Sequence, residues 1–189
     1  MRYSLPLHPD VQNILTVISS MREQFNHHGP RVAGLAVKLA EACGMSREDI
    51  GLIAAGAALH DIGKIFTDPK ILNKDGPLDT AERAKIQEHV AMGWAIVEQA
   101  GYEKVILDIV RSHHEKWDGT GYPDGLIGKE IPFVARLVCV CDVYQALTAK
   151  RVYREPHTHA FSRTYMEAGR GKTFDPELLD LFFEKVVEG

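Results

Sequence analysis

The chain has 189 residues, is 45% hydrophobic and 25% charged, and carries a formal net charge of −4. This predicts a globular protein with one domain over residues 1–189 and excludes a nucleic-acid polymer binder that relies on a basic field. No apolar run approaches the roughly 18 residues of a membrane span, and the N-terminus lacks a signal-peptide pattern, so we expect a cytoplasmic protein without a membrane segment. Three scattered cysteines do not form a disulfide framework.

The N-terminal part of the sequence predicts three helices. Apolar residues spaced near 3.6 predict an amphipathic helix over 9–27. Pro30 suits the first turn of a second helix, over 30–43. Ser46 is predicted to cap a third helix, which runs into His60-Asp61 and is followed by loop residues as far as Pro77.

The rest of the chain also follows helical patterns, and no alternation typical of a strand extends beyond a few residues. Four glycines and one proline make a loop of 117–128. The predicted helices are 79–99 (continuous, or bent near Gly93), 103–114, 131–148, 160–169 and 176–187, with an irregular stretch over 151–159. We therefore predict an all-α, single-domain helical bundle with a Gly-rich loop after His113-His114.

The most distinctive stretch is His60-Asp61-Ile62-Gly63-Lys64, which follows a run of small apolar residues over 51–58. Such a run predicts a packed core helix, and polar groups buried at its end without partners would be costly. A histidine and the next aspartate can hold one ion from two sides, or the carboxylate can be shared by two ions. Lys64 lies on the same rim, so these groups outline a phosphate site. The alternative is an ordinary solvated helix end.

Other potential ligands also lie within or at the ends of predicted helices. They are His28, His89, His113, His114 and Asp142. Asp142 belongs to an almost wholly apolar helix, where a carboxylate needs an ion or a salt bridge such as one to Arg136. His27 is an alternative to His28, and each histidine taken alone could be an ordinary helix residue.

Five histidines and two aspartates are too many ligands for one tetrahedral zinc ion. They suit two divalent ions that share one carboxylate, for which Asp61 is the natural candidate. Iron, manganese, zinc and nickel all accept such ligands. Two ions would also give an acidic chain the local positive charge that an anionic substrate needs.

The motifs resemble those of a known family. His60-Asp61 with the more distant ligands resembles the HD superfamily of metal-dependent phosphohydrolases, and the loop after His113-His114 resembles the HD-GYP subfamily. The resemblance extends from about residue 25 to 183 and rests on these segments: His28-Gly-Pro-Arg31-Val-Ala, His60-Asp-Ile-Gly-Lys64, the stretch from His113 to Leu126 with Gly121-Tyr122-Pro123, Asp142-Val-Tyr-Gln-Ala-Leu-Thr148 and Arg151-Val-Tyr-Arg154.

The resemblance implies a phosphodiesterase that hydrolyses a cyclic dinucleotide, typically cyclic di-GMP, through attack by a water that bridges the metals. The implied metal ligands are His28, His60, Asp61, His89, His113, His114 and Asp142. Asp61 and Lys64 would be catalytic, with Lys64 on the scissile phosphate. The implied substrate contacts also include Gly121, Tyr122, Pro123, Gln145, Arg151 and Arg154. The Gly-Tyr-Pro loop would also be the surface that docks a partner such as a diguanylate cyclase.

Two positions depart from the family pattern. Family members with a third metal have a glutamate where this chain has Gln24, so we expect two metals. Gln145 replaces an aspartate that helps to read guanine, which opens the substrate to another cyclic dinucleotide. The alternatives are a non-hydrolytic module that binds nucleotide or a diguanylate cyclase, and an HD phosphohydrolase acting on another nucleotide. The chain carries no sensory domain, so we expect a stand-alone domain or a fragment of something longer.

Overall fold

The computed structural model describes residues 28–149 and 155–188. Eight α-helices and no β-strand are found within these two ranges, and this confirms the predicted all-α fold. The helices are α1 (His28–Ala42), α2 (Arg47–Leu59), α3 (Pro69–Leu72), α4 (Thr80–Gln99), α5 (Lys104–Ser112), α6 (Phe133–Thr148), α7 (His159–Ala168) and α8 (Pro176–Phe182). Short 3-10 helices occupy Ile62–Phe66 and Gly128–Glu130, and a π-helical turn over Phe183–Val187 extends α8.

Local capping determines several of these helix starts. The Ser46 side chain accepts a hydrogen bond from the Asp49 N–H and caps α2, as predicted. Asp79 and Glu82 form a reciprocal capping box at the start of α4. Pro176 follows the Asp175 cap at the start of α8.

The structure differs from the predicted elements in two places and decides between two alternatives in a third. The third helix ends as an α-helix at Leu59 and continues as the 3-10 helix Ile62–Phe66, so Asp61 lies at the junction. A short helix, α3, interrupts the predicted loop because Asp68 caps it and Pro69 begins it. Of the two alternatives for 79–99, the structure has the continuous helix, Thr80–Gln99. The predicted helix 9–27 lies outside the described residues, and the single domain over 1–189 stays a prediction.

Two hydrophobic clusters flank the functional residues. The larger joins α1, α6 and α8 through fully buried side chains such as Leu39, Leu137 and Phe182. The smaller joins α2, α4 and α5 through Leu59, Val97 and related residues. The predicted ligands come from helices of both clusters, so packing of the two clusters fixes their separation. Among the described helices, none is both long and apolar enough to cross a bilayer.

Candidate metal centre

All seven predicted metal ligands lie together in two groups. Within each group, the ligand atoms are all within 4.8 Å of one another. The inner group consists of Asp61, His89, His113 and His114. The outer group consists of His28, His60 and Asp142. Side chains from five different parts of the chain therefore converge, as expected for a metal centre inside a helical bundle.

Asp61 lies between the two groups. Its Oδ1 atom is 3.3 Å from His89 Nε2 and 3.8 Å from His113 Nε2, both in the inner group. Its Oδ2 atom is 3.4 Å from His60 Nε2 and 3.7 Å from His28 Nε2, in the outer group. One carboxylate thus presents one oxygen to each group, which is the arrangement of a bridging ligand.

The histidine rings are oriented for ligation. Nδ1 of His60 donates to the Ala57 carbonyl, Nδ1 of His89 to Ile86, and Nδ1 of His113 to Val110 and Ile109. A ring proton on Nδ1 leaves a lone pair on Nε2.

These inward-facing atoms have no hydrogen-bond partner among the described residues. The buried atoms concerned are the Nε2 atoms of His60, His89 and His113, together with Asp61 Oδ1. Buried polar atoms are nearly always hydrogen-bonded, so four polar atoms without a partner around one point need an explanation. The residues fit divalent metal ions, because nitrogen and carboxylate lone pairs are the donors that such ions accept.

Asp142 belongs to the outer group and has no salt bridge to Arg136. Its Oδ1 atom lies 3.0 Å from His28 Nε2 and 3.8 Å from His60 Nε2. Arg136 instead pairs with Asp175 and packs over the Trp117 ring. The alternative of an Asp142–Arg136 ion pair is therefore wrong.

The charges of the two groups differ. Burial lowers the pKa of His60, but the carboxylates of Asp61 and Asp142 outweigh it and raise this pKa to about 9. Burial lowers the pKa of His113 well below its usual value, and the neighbouring imidazoles lower it further. Burial also lowers the pKa of His114 to about 3. His113 and His114 of the inner group are therefore neutral, whereas the two carboxylates stabilise a positive charge on His60 of the outer group.

Two glycines allow the backbones that carry the ligands to approach closely. A Cβ at Gly29 would lie 2.5 Å from the Ala58 carbonyl oxygen, so α1 can lie against the end of α2 only with glycine there. This contact places His28 next to His60, with ring centroids 5.1 Å apart. A Cβ at Gly63 would lie 1.9 Å from the His89 carbonyl oxygen, so Gly63 lets the Asp61 turn pack onto α4.

Lys64 lies at the edge of the centre. Its ammonium group donates to Asp61 Oδ2 at 2.6 Å, and its side chain is 21% exposed. Burial opposes ionisation of Asp61, but Lys64 and His60 hold the pKa of this carboxyl well below its usual value. The cation therefore lies where the charged centre meets solvent.

The Gly-rich loop contacts the inner group. The Tyr122 ring stacks on His114, with centroids 4.8 Å apart, and the Tyr122 N–H donates to the His114 carbonyl. Gly121 and Pro123 flank this tyrosine, and the Tyr122-Pro123 peptide is cis. The loop therefore supports the ring of His114, for which no backbone carbonyl contact is found within the described residues.

Glu115 organises the far side of the same loop. Its carboxylate is 2% exposed and accepts hydrogen bonds from the N–H groups of Asp124, Gly125 and Leu126. Sequence reasoning gave Glu115 no role. The available signal was an acidic residue directly before a glycine-rich loop, whose backbone N–H groups need acceptors.

Gln145 lies beside the outer group. It is 6% exposed, and its Oε1 atom accepts a hydrogen bond from Nδ1 of His28. It also lines a groove of about 360 Å³ together with Arg31, Lys38, Tyr144 and Thr148. The predicted substrate contacts Arg151 and Arg154, and also Gln24 and His27, lie outside the described residues.

The fold and the candidate ligands describe a helical protein with a cluster of histidines and aspartates that could hold metal ions. The chain belongs to the HD domain family, whose sequence pattern matches residues 13–178, and its motifs place it in the HD-GYP group.

Several known proteins are similar to it. It is 36% identical to 3'3'-cGAMP-specific phosphodiesterase 2 of Vibrio cholerae, covering 92% of this chain and 34% of that protein. It is 39% identical to the cyclic di-GMP phosphodiesterase response regulator RpfG of Xanthomonas campestris, covering 86% of this chain and 42% of that protein. The chain thus spans less than half the length of these relatives.

The fold is shared with a solved structure, Bd1817, a HDG"Y"P protein from Bdellovibrio bacteriovorus. The two superpose with a TM-score of 0.71 at 22% identity, over 93% of this chain and 57% of the other. This similarity shows that the two proteins share the same helical fold.

Proposed function

We propose that this chain is a metal-dependent phosphodiesterase that hydrolyses a cyclic dinucleotide. The observation that carries the proposal is the Asp61 carboxylate, which faces orphaned imidazole nitrogens on both sides and the Lys64 ammonium at its edge. The relatives support the reaction, since one is named for cyclic di-GMP and another for 3'3'-cGAMP. Cyclic di-GMP is the first substrate to test and 3'3'-cGAMP is the second.

The proposed centre holds two divalent ions, one in each group, with Asp61 shared. The donors are imidazole nitrogens and carboxylate oxygens, which suit iron, manganese, zinc or nickel. Two ions against two carboxylates leave a local charge of about +2, which would attract a phosphodiester. When bound, such ions supply an activated water and neutralise charge on the phosphoryl oxygens.

The chain's own residues contribute orientation and charge. Asp61 presents one carboxylate oxygen to each group, and the Nδ1 hydrogen bonds hold the rings of His60, His89 and His113 with Nε2 toward the centre. Lys64, at the exposed edge, is placed to donate to a phosphoryl oxygen as negative charge develops there.

The roles of the remaining predicted substrate contacts stay predictions. Gly121, Tyr122 and Pro123 border the inner group, where the Tyr122 ring covers His114. Docking of a diguanylate cyclase on this loop is likewise a prediction, to be tested by binding. The non-hydrolytic alternative is disfavoured because a docking module does not need seven assembled ligands.

The test combines metal analysis with turnover. Anaerobically purified protein is analysed for metals and incubated with cyclic di-GMP and with 3'3'-cGAMP, and products are separated by chromatography. We expect two ions per chain and hydrolysis of at least one compound. A protein that holds two ions but cleaves neither compound contradicts the proposed activity.

Lys64→Met tests the role of the cation. We expect this variant to keep both ions and to lose roughly 10²-fold in turnover, the scale of one contact to developing charge. Lys104→Met is the control, since Lys104 is exposed and paired with Asp108 on the surface. Loss of the ions from Lys64→Met would show that Lys64 is a structural part of the centre instead.

A further inference from the structure

His28 differs from three other ligand histidines in what holds its second ring nitrogen. His60, His89 and His113 each donate Nδ1–H to a carbonyl three or four residues earlier in the chain. His28 is the first residue of α1, so no preceding helical turn within the described residues supplies such a carbonyl. Its Nδ1 atom lies 2.5 Å from Oε1 of Gln145, a residue 117 positions away.

This contact determines which nitrogen of His28 is free for a metal. A neutral imidazole carries one ring proton, and an acceptor at Nδ1 holds the proton there. The Nε2 atom is then directed into the outer group, where Asp142, the other ligand of the proposed outer ion, has its Oδ1 atom 3.0 Å away. Gln145 is 6% exposed, so little solvent is available to replace its carbonyl oxygen as acceptor.

We propose that Gln145 is a positioning residue of the metal centre, which holds His28 in the tautomer and orientation that bind the outer ion. This inference rests on the two-ion centre of the proposed function. It assigns Gln145 a role that is separate from contact with substrate. Because the amide acceptor is neutral, a carboxylate in its place should make His28 a stronger donor to the ion.

The experiment measures metal binding without substrate. Metal-free protein is titrated with Co²⁺, which is followed by visible absorption, and bound metal is counted after gel filtration. We expect Gln145→Leu to keep the inner ion and to bind the outer ion about 10–100-fold more weakly. Gln145→Glu, which keeps an acceptor at the same distance, should bind the outer ion at least as tightly as the wild type.

Thr148→Val is the matched control, because Thr148 lines the same groove and its hydroxyl donates to the Tyr144 carbonyl instead of to a ligand. We expect this variant to bind both ions normally. Circular dichroism and thermal melting show whether each variant is folded.

Three results would overturn the inference. Gln145→Leu could bind both ions with wild-type affinity, Gln145→Glu could lose as much affinity as Gln145→Leu, or Thr148→Val could match the loss. In each case the proposed phosphodiesterase would still stand. Wild-type protein that binds fewer than two Co²⁺ ions would instead contradict the two-ion centre and this inference together.

Discussion

The inner and outer groups of the metal centre contain the same kinds of side chain but are held by different contacts. In the inner group, the side chains of His89 and His113 are fully buried, and backbone carbonyls of their own helices fix both rings. In the outer group, the side chains of His28 and Asp142 are 20% and 15% exposed, and a distant side chain holds His28.

The two groups therefore differ in the contacts that hold their ligands in place. The rings of His89 and His113 are oriented by carbonyls of their own helices, so their orientation depends on local structure. The outer group requires α1, α2 and α6 to pack correctly before His28, His60 and Asp142 meet. We therefore expect the outer ion to exchange more readily and to lie nearer the incoming substrate.

The largest effect is expected from breaking both groups at once. Asp61→Ala removes the carboxylate that faces both groups, so we expect loss of both ions and a fall in turnover of at least about 10³-fold. Elemental analysis and the hydrolysis assay measure the two losses. Asp108→Ala is the control, because this partly exposed carboxylate pairs with Lys104 outside both groups. Retention of two ions in Asp61→Ala would show that Asp61 does not bridge them.

Removing a ligand from the outer group alone tests whether the two groups bind metal independently. We expect His28→Ala to retain one ion per chain and to lose about 10²-fold in turnover, because the inner ligands keep their own contacts. Metal analysis before and after dialysis gives the stoichiometry. His157→Ala, which removes a histidine stacked on Phe161 outside the centre, should keep both ions. Loss of both ions from His28→Ala would show that the groups bind metal only together.

The loop 117–128, which packs on the inner group, can be destabilised without substituting a metal ligand. Glu115→Ala removes the acceptor of three loop N–H groups, which should cost roughly 2–4 kcal/mol of stability. Because the same loop places Tyr122 on His114, we expect about tenfold lower turnover with both ions bound. Thermal melting and protease digestion of the loop 117–128 measure the loosening.

Glu130→Ala is the matched control for Glu115→Ala. Glu130 accepts one hydrogen bond from Ile127 in the same loop, but at an exposed position. We expect its loss to change stability by less than about 1 kcal/mol. Equal effects of the two substitutions would show that burial of Glu115 has no special importance.

The sequence predicted most of the fold because the relevant signals are local. Apolar spacing and caps such as Ser46 and Asp79 specify helices within a few residues. Candidate ligands could also be named from the sequence, because polar groups such as Asp142 within apolar helices need partners, and the family resemblance implied the full set.

Contacts between distant residues could not be predicted in the same way. The close approach of Gly29 to Ala58 and the hydrogen bond from His28 to Gln145 depend on helix packing, which no local pattern encodes. The family resemblance therefore assigned Gln145 a role toward substrate alone. The helix α3 was missed because its capping pair, Asp68-Pro69, is equally typical of a turn.

The smallest expected effect is a pH dependence that distinguishes the groups in metal-free protein. The pKa of His60 is raised to about 9 by the nearby carboxylates, so its protonated form stabilises the fold fully below its ordinary pKa of 6.5. That stabilisation is lost as the pH rises through about 9. The pKa of His114 is lowered to about 3 by burial, so stability falls as the pH drops from 6.5 toward 3.

We therefore expect metal-free protein to melt at the highest temperature near pH 6.5 and several degrees lower at pH 9.5, the latter because of the outer group. Thermal melts of chelator-treated protein across this range test the expectation. His60→Gln should remove most of the alkaline loss, whereas His157→Gln should keep it. If His60→Gln and the wild type lose stability equally above pH 6.5, the carboxylates of Asp61 and Asp142 do not hold a proton on His60, and the charge difference between the two groups is wrong.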